Sequence, residues 1–437
     1  MSVAALMFPL LFLLVLAGIP IALSLTIVSA GAGFLVFGPN VFAQLYGSFY
    51  SAATNFILAA IPMFVLMGAI LERSGIAERL FRVMQIWMGG LPGGLAIATI
   101  AMGAVFAAAA GVVGAVEVMI GMMAIPAMQK FRYSNSLISG TICAGGSLGT
   151  MIPPSVIAVM YASLAQMSVG ELLAGMMLPG LLMVVLFIVY LMLHGLLWPP
   201  ERIEERSEAD TMPLGEKLRL TVTSLLPICA LIFTVLGSLL AGIASPTEAA
   251  SVGAVGALVL CVVYGRFSLA MLRESLQITV RISAMILLIV AAGTMFMGTF
   301  AANGGSRLIR SAVEHIGMGD AGLIVFFLII VFLLGFVLDW TANVLICVPL
   351  FTPIIRQAGI DPVWFGTMVI VVIQTSYLTP PMASSIFYLK SIAPPDMTYG
   401  QMCRGVVPFI FLQLATLALV AFFPALATWL PDQIVGF

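Results

Sequence analysis

Charge is the scarcest feature of this chain. Only 8% of its 437 residues are Asp, Glu, Lys or Arg, against 62% hydrophobic, and a water-soluble domain cannot clothe its core with so few polar side chains. The net charge of −1 provides no basic face, which excludes nucleic acid as a partner. Histidine is confined to His194 and His315, far apart, and Cys143, Cys229, Cys261, Cys347 and Cys403 stand singly in apolar runs without C-x-x-C spacing. No metal or redox cluster can be built from them, and the thiols read as small buried hydrophobes. An ATP-driven pump is excluded by the lack of any G-x-x-x-x-G-K-[ST] loop. An intramembrane hydrolase would need a histidine beside a polar break, and neither histidine is near one. Residues 1–18 lack a basic start and a small-residue cleavage site, so they read as a retained first helix.

What the chain has is apolar length. Runs of roughly 20 residues, enough to cross a core of about 30 Å, recur from Leu6 to Leu430. The fold class expected is an all-α polytopic membrane protein.

The sequence also resembles itself. Leu16-Ala17-Gly18-Ile19 returns as Leu240-Ala241-Gly242-Ile243, Pro126 as Pro353, Pro153-Pro154 as Pro380-Pro381, and Gly170 and Gly175 as Gly400 and Gly405. Landmarks in one order with a slowly drifting offset indicate duplication. The expected division is a first repeat over 1–197, a charged cytoplasmic linker over 198–217 and a second repeat over 218–437. Each repeat has a long apolar run too short for two full crossings and a turn, about 95–128 and 323–355, which reads as a re-entrant hairpin. The tips fall at Ala110-Gly111-Val112-Val113-Gly114 and at Asp339. Each repeat then has a helix interrupted near its middle, about 137–164 and 366–392, by Pro153-Pro154 and Pro380-Pro381. Tips and breaks inside a bilayer must be covered by protein or line a water-filled cavity, and paired repeats that do this build a transport site.

With the first hairpin rooted in the cytoplasm, thirteen Lys and Arg residues fall inside and only Arg307, Arg310 and Arg356 outside, with Arg281 within a helix. This places both termini outside. An odd number of crossings per half inverts the second repeat.

Four ordered motifs carry a family resemblance over essentially the whole chain: Gly145-Gly146-Ser147-Leu148-Gly149-Thr150-Met151-Ile152-Pro153-Pro154-Ser155, Ser245-Pro246-Thr247-Glu248-Ala249-Ala250, Leu338-Asp339-Trp340-Thr341-Ala342 and Gly359-Ile360-Asp361-Pro362. They resemble the large membrane subunits of TRAP (tripartite ATP-independent periplasmic) transporters, DctM type. The resemblance implies two inverted repeats in an elevator-type carrier with scaffold and transport domains, in a bacterial inner membrane. It further implies sodium coupling, a small four-helix membrane subunit and a periplasmic substrate-binding protein. The sequence departs from the family where a Ser-Gly-Ser-Ser-like first tip is common, since Ala110-Gly111-Val112-Val113 has no hydroxyl.

Sodium takes several oxygen ligands, and unwound helices offer free carbonyls. Gly111, Gly114, Ser147, Gly149 and Thr150 form the first candidate sodium site, and Thr341, Asn343, Thr375, Ser376 and Thr379 the second, about two sites in all. No Lys or Arg stands at a tip, so the half-charges at helix N-termini are expected to hold the carboxylate of a small organic anion. Gly111, Val112, Pro154, Ser155, Asp339, Trp340, Pro381 and Met382 are the candidates to touch it. Asp339 is read either as a cap of the following helix or as a cation ligand, Glu117 as the maker of an interhelical bond. Glu248 is read as part of a capping box. A stand-alone carboxylate carrier or a Na+/H+-type antiporter shares the repeat logic, but the antiporter would place paired carboxylates at the crossing point. A passive scaffold needs no polar breaks.

A single cysteine placed near Glu205 should react in intact cells only with membrane-permeant thiol reagents. Labelling there by an impermeant reagent would overturn this topology.

Overall fold

The computed structural model describes residues 3–111, 113–198, 212–305, 307–308, 319–381 and 383–434, and all regular structure among them is helical. The first half runs α1 Val3–Leu16, α2 Ile21–Phe37, α3 Val41–Ala53, α4 Ala60–Arg73, α5 Ile76–Met88, α6 Gly94–Ala110, α7 Val113–Lys130, α8 Asn135–Ser147, α9 Val156–Ala165 and α10 Val169–Leu197. The second runs α11 Leu214–Leu240, α12 Pro246–Val263, α13 Leu269–Ala302, α14 Asp320–Leu334, α15 Trp340–Gln357, α16 Pro362–Leu378, α17 Ser384–Lys390, α18 Tyr399–Phe422 and α19 Ala425–Ile434. Among the described residues, 7 helical segments are long and apolar enough to cross a membrane.

The helices of the two halves follow one order. The start of α7 corresponds to that of α15 (113 to 340) and the end likewise (130 to 357), and α8 corresponds to α16 (135 to 362). The hairpins are therefore α6–α7 and α14–α15, and the interrupted helices are α8–α9 and α16–α17. Hairpin arms of 17 and 18 residues reach only about 26 Å each. One correspondence is imperfect. Against the 34 residues of α13 stand two separate helices, α3 and α4, where a single crossing is expected. Asn55 causes the division: its Oδ1 accepts from the Ile57 amide at 3.0 Å and its Nδ2 donates to Ser163 Oγ at 2.9 Å, so it starts a new helical segment.

The linker is shorter than expected at its end. Residues 199–211 lie outside the described ones, and α11 already begins at Leu214 behind Pro213, with Glu216 in its first turn. A carboxylate there complements the positive helix end. Glu248 is part of a capping box: Ser245 Oγ accepts from the Glu248 amide at 3.3 Å and the Glu248 carboxylate accepts from the Ser245 amide at 2.8 Å. Thr398 and Gln401 make a second box at the start of α18.

The halves exchange partners. Helix α4 packs on α12 and α2 on α13; α8 packs on α18 and α10 on α16; α7 packs on α17 and α9 on α15. Neither half can bury its apolar faces without the other. The tightest seams use glycine, as in other membrane bundles where lipid supplies no hydrophobic drive and close backbone contact must hold helices together. A Cβ on Gly140 would lie 2.0 Å from the Gly405 carbonyl oxygen, and one on Gly405 only 1.9 Å from that of Ser136.

Gly405→Ala should therefore lower the thermal unfolding temperature in detergent, by overpacking worth about 1–3 kcal/mol. Gly400→Ala on the same helix, with nothing within 4 Å of the new methyl, should not. Equal stability of the two variants would refute this packing.

Candidate functional site

At the first break, α8 ends in a 3-10 turn at Leu148–Thr150, and α9 restarts after Ser155. Pro153 and Pro154 have no amide hydrogen, so the carbonyls of Gly149 and Thr150 lose their helical donors. Ser155 Oγ replaces one of them, donating to the Thr150 carbonyl at 2.7 Å. This use of Ser155 leaves the start of α9 without a side-chain cap, and its first amides keep their positive potential. At the second break, Pro380 and Pro381 likewise deprive the Ser376 and Tyr377 carbonyls, and the Thr379 amide donates to Ser376 O at 3.1 Å.

The hairpin tips meet the breaks. Gly111 closes α6 with φ 61 and is buried; a Cβ there would lie 3.0 Å from the Pro154 carbonyl oxygen. Gly114 faces the Tyr388 ring, whose Cζ would stand 2.7 Å from a Cβ. In the second repeat, Gly335 at the start of the turn leaves room for Ser376, whose Oγ would lie 2.3 Å from a Cβ. The structure thus seats the first tip against the first break and the second against the second. Tyr388, on the far side of the second break, touches the first tip. Tyr377 and Tyr388 both lie within electrostatic range of Asp339 and Glu117, so the two hairpins share one neighbourhood. A separate cavity of about 360 Å³ opens elsewhere, at the root of the first hairpin beside Tyr133, His194 and Trp198.

Asp339 caps α15, its carboxylate accepting from the Thr341 amide at 3.2 Å and the Ala342 amide at 3.4 Å. This fills one of the four helix N-termini expected to receive an anion. Thr341 is fully buried and its hydroxyl has no hydrogen-bond partner. Asn343 ties the hairpin together, Nδ2 donating to Val331 O at 2.8 Å while Oδ1 accepts from Cys347 at 3.2 Å. The hydroxyls of Thr375, Ser376 and Thr379 donate to carbonyls of their own helix at 2.7–2.8 Å and keep lone pairs. Thr150 does the same toward Ser147 O at 2.8 Å.

Ser147 differs from its expected role. Its hydroxyl donates to Ala144 O at 2.9 Å and accepts from Gln374 Nε2 at 3.2 Å and Gln413 Nε2 at 3.3 Å. Both lone pairs are used, so the side chain has none left for a cation. Ser147 and Gln374 stand 227 residues apart, the offset that relates the two breaks. Equivalent positions in contact place the axis relating the two halves between α8 and α16. Gln374 Oε1 and Gln413 Oε1 are buried without partners, the kind of oxygen that water or a hard cation occupies. Sequence reading missed both glutamines, Ser385 and Tyr388; only the 227-residue offset pointed to Gln374.

Exposure divides the candidates. Pro154, Ser155 and Gly111 are buried, Asp339, Trp340 and Thr379 are half-buried and Pro381 is exposed. Val112 and Met382 lie outside the described residues. Arg281 is exposed on α13. Arg356 donates to the Ala165 and Gln166 carbonyls at 2.7 and 2.8 Å, closing the C-terminal end of α9.

A helical bundle with two hairpins closing on two broken helices has the architecture of a secondary transport protein. Residues 8–426 match the family described as the tripartite ATP-independent periplasmic transporter, DctM component, and the chain belongs to that family. It is 30% identical to a C4-dicarboxylate TRAP transporter large permease protein of Pseudomonas aeruginosa over 91% of each chain. It is 31% identical to an ectoine/5-hydroxyectoine large permease of Ruegeria pomeroyi, covering 98% of this chain and 99% of that one. A sialic acid large permease of Vibrio cholerae is 29% identical over 97% of each. The fold is similar to the crystal structure of the YdaH transporter of Alcanivorax borkumensis, with a TM-score of 0.63 at 16% identity, covering 95% of this chain and 98% of that one.

Ser147→Ala leaves two buried amide groups without their acceptor, and should lower stability by about 1–3 kcal/mol in thermal unfolding. Thr234→Ala, on the exposed face of α11, should be neutral. An unchanged unfolding temperature for Ser147→Ala would remove the glutamine clasp as a stabilising contact.

Proposed function

We propose that this chain is the large membrane subunit of a sodium-coupled importer of a small organic acid anion. It works in a bacterial inner membrane with a small four-helix membrane subunit and a periplasmic binding protein that delivers the substrate. The observation that carries the reading is the pairing of each break with a hairpin tip, which brings free carbonyls, hydroxyls and uncapped amides together inside an apolar bundle.

Oxygen donors suited to sodium are richer in the second repeat: the unpartnered Thr341 hydroxyl, the Thr375 and Thr379 hydroxyls, and the Tyr377 carbonyl freed by Pro381. The first repeat offers carbonyls, chiefly that of Gly149. About two ions, one at each break, follow from this symmetry. The carboxylate of the substrate is held by the uncapped start of α9 beside Ser155, near the Gly111 tip. Relatives are named for C4-dicarboxylates, ectoine and sialic acid; the hydroxyl-poor first tip favours short carboxylates over sugar acids. The hairpins and broken helices form the moving transport domain of an elevator, and α1–α4 with α11–α13 form the scaffold. The second repeat is inverted, the linker is cytoplasmic and both termini are periplasmic.

The test is initial uptake in proteoliposomes containing all three components across a sodium series, with the acid found by thermal-shift screening of the cognate binding protein. Thr341→Val removes an oxygen at constant volume, worth about 1–3 kcal/mol, and should raise the half-saturating sodium concentration roughly five- to 150-fold. Uptake driven fully by a proton gradient without sodium, or full uptake by this chain alone, would overturn the proposal.

A further inference from the structure

Glu117 is the fully buried acid in the bundle that the sodium reading leaves unused. It lies on the second arm of the first hairpin with no solvent exposure. Its niche is built for it, since a Cβ on Gly146 would stand 1.9 Å from Glu117 Cγ, and only glycine at that point of α8 admits the side chain. One carboxyl oxygen, Oε1, is hydrogen-bonded with Ser385 Oγ of α17, from the other half of the chain. The other, Oε2, has no partner.

Among the described residues, no lysine, arginine or histidine is paired with the carboxyl, whose hydrogen-bond partner is Ser385. Arm α6 has no ionisable residue. Helix α8 brings Cys143, α17 brings Tyr388, and Tyr377 is within electrostatic range from the second break. The ammonium of Lys390, on α17, lies over the Tyr399 ring at 5.6 Å. On the other helices packed on this arm, Arg73 of α4 pairs with Glu72 and Glu274, and on α5 Glu78 faces Arg266 while Arg79 lies over the Tyr264 ring; Arg82 of α5 and Lys130 at the end of α7 have interactions of their own. An ionised carboxylate with no solvent exposure and no cation against it is costly.

A proton resolves the local hydrogen bonding. Placed on Oε1, it is donated to Ser385 Oγ, and the serine's own hydrogen is released to the Cys143 carbonyl 3.4 Å away. Each donor of this Glu117–Ser385–Cys143 relay then has an acceptor, and the carboxyl oxygen left without one is a neutral carbonyl oxygen.

We propose that Glu117 is a proton-binding site of the transport cycle. An O–H bond forms at Oε1 with a proton taken from water when the hairpin is open to one side, and breaks to return the proton to water on the other. The neutral acid is the form that seats arm α7 between α8 and α17. This proposal rests on the transport reading and adds to it: one proton moves with the substrate alongside the sodium held at the second break.

The test uses the complete three-component complex. Infrared spectra in lipid nanodiscs at neutral pH should show a protonated carboxyl absorption that is lost in Glu117→Gln. In proteoliposomes with an internal pH dye, wild-type uptake under a sodium gradient should carry protons inward. Glu117→Gln should lose that proton movement and the pH dependence of uptake. Should the glutamine variant fail to assemble, Glu117→Asp, which keeps the acid, should retain proton movement with a displaced pH midpoint. Absence of the carboxyl absorption in the wild type, or proton movement unchanged in Glu117→Gln, would overturn the proposal. Sodium-driven uptake without proton movement would remove this inference and leave the transport reading standing; no uptake under any gradient would remove both.

Discussion

Backbone polar groups cannot be left bare in hydrocarbon, and the architecture of this chain follows from the places where it breaks that rule and covers the breach. Two proline pairs strip helical donors from carbonyls in the middle of the bundle. Each repeat brings its own hairpin tip to the break, and each half lends a hairpin arm to pack the short helix beyond the other half's break, α7 on α17 and α15 on α9. The exchange of partners is thus a consequence of the breaks. A half on its own would expose them to lipid.

The same requirement explains where glycine stands. Gly114, Gly146, Gly335 and Gly405 each sit where another element approaches closer than a Cβ permits, and Gly111 turns the chain at φ 61 tight against Pro154. The contacts at Pro154, at the Tyr388 ring, at Glu117 and at Ser376 are the contacts that define the site. Small residues here set which backbone faces which, and the polar groups follow from that placement.

Local punctuation was readable from the residues; cross-chain pairing was not. Proline pairs marked the breaks to within a residue, Gly111 and Asp339 marked the tips, and the Ser245–Glu248 spacing read as the capping box that it is, because each depends on neighbours within one turn. Hairpin and broken-helix ends shifted by at most a few residues for the same reason. Ser385 lies 268 residues from Glu117 and Gln413 lies 266 from Ser147, and no periodicity in either segment announces the other. The place of Ser147 in the break suits a cation ligand, but its hydroxyl is claimed by two amides that only the folded bundle brings near.

The two halves have come to differ in chemistry while keeping their geometry. Positions 110–113 of the first tip carry no hydroxyl, whereas the second has Thr341, buried and unpartnered. Position 117 is an acid, whereas its counterpart 227 residues on is Val344. Hard oxygen donors thus gather at one break and a lone carboxyl at the other. A scaffold of two like halves needs both tips to seat but does not need both to carry the same side chains, because seating is secured by glycine contacts. Once closure rests on backbone packing, the polar side chains of each tip are free to differ.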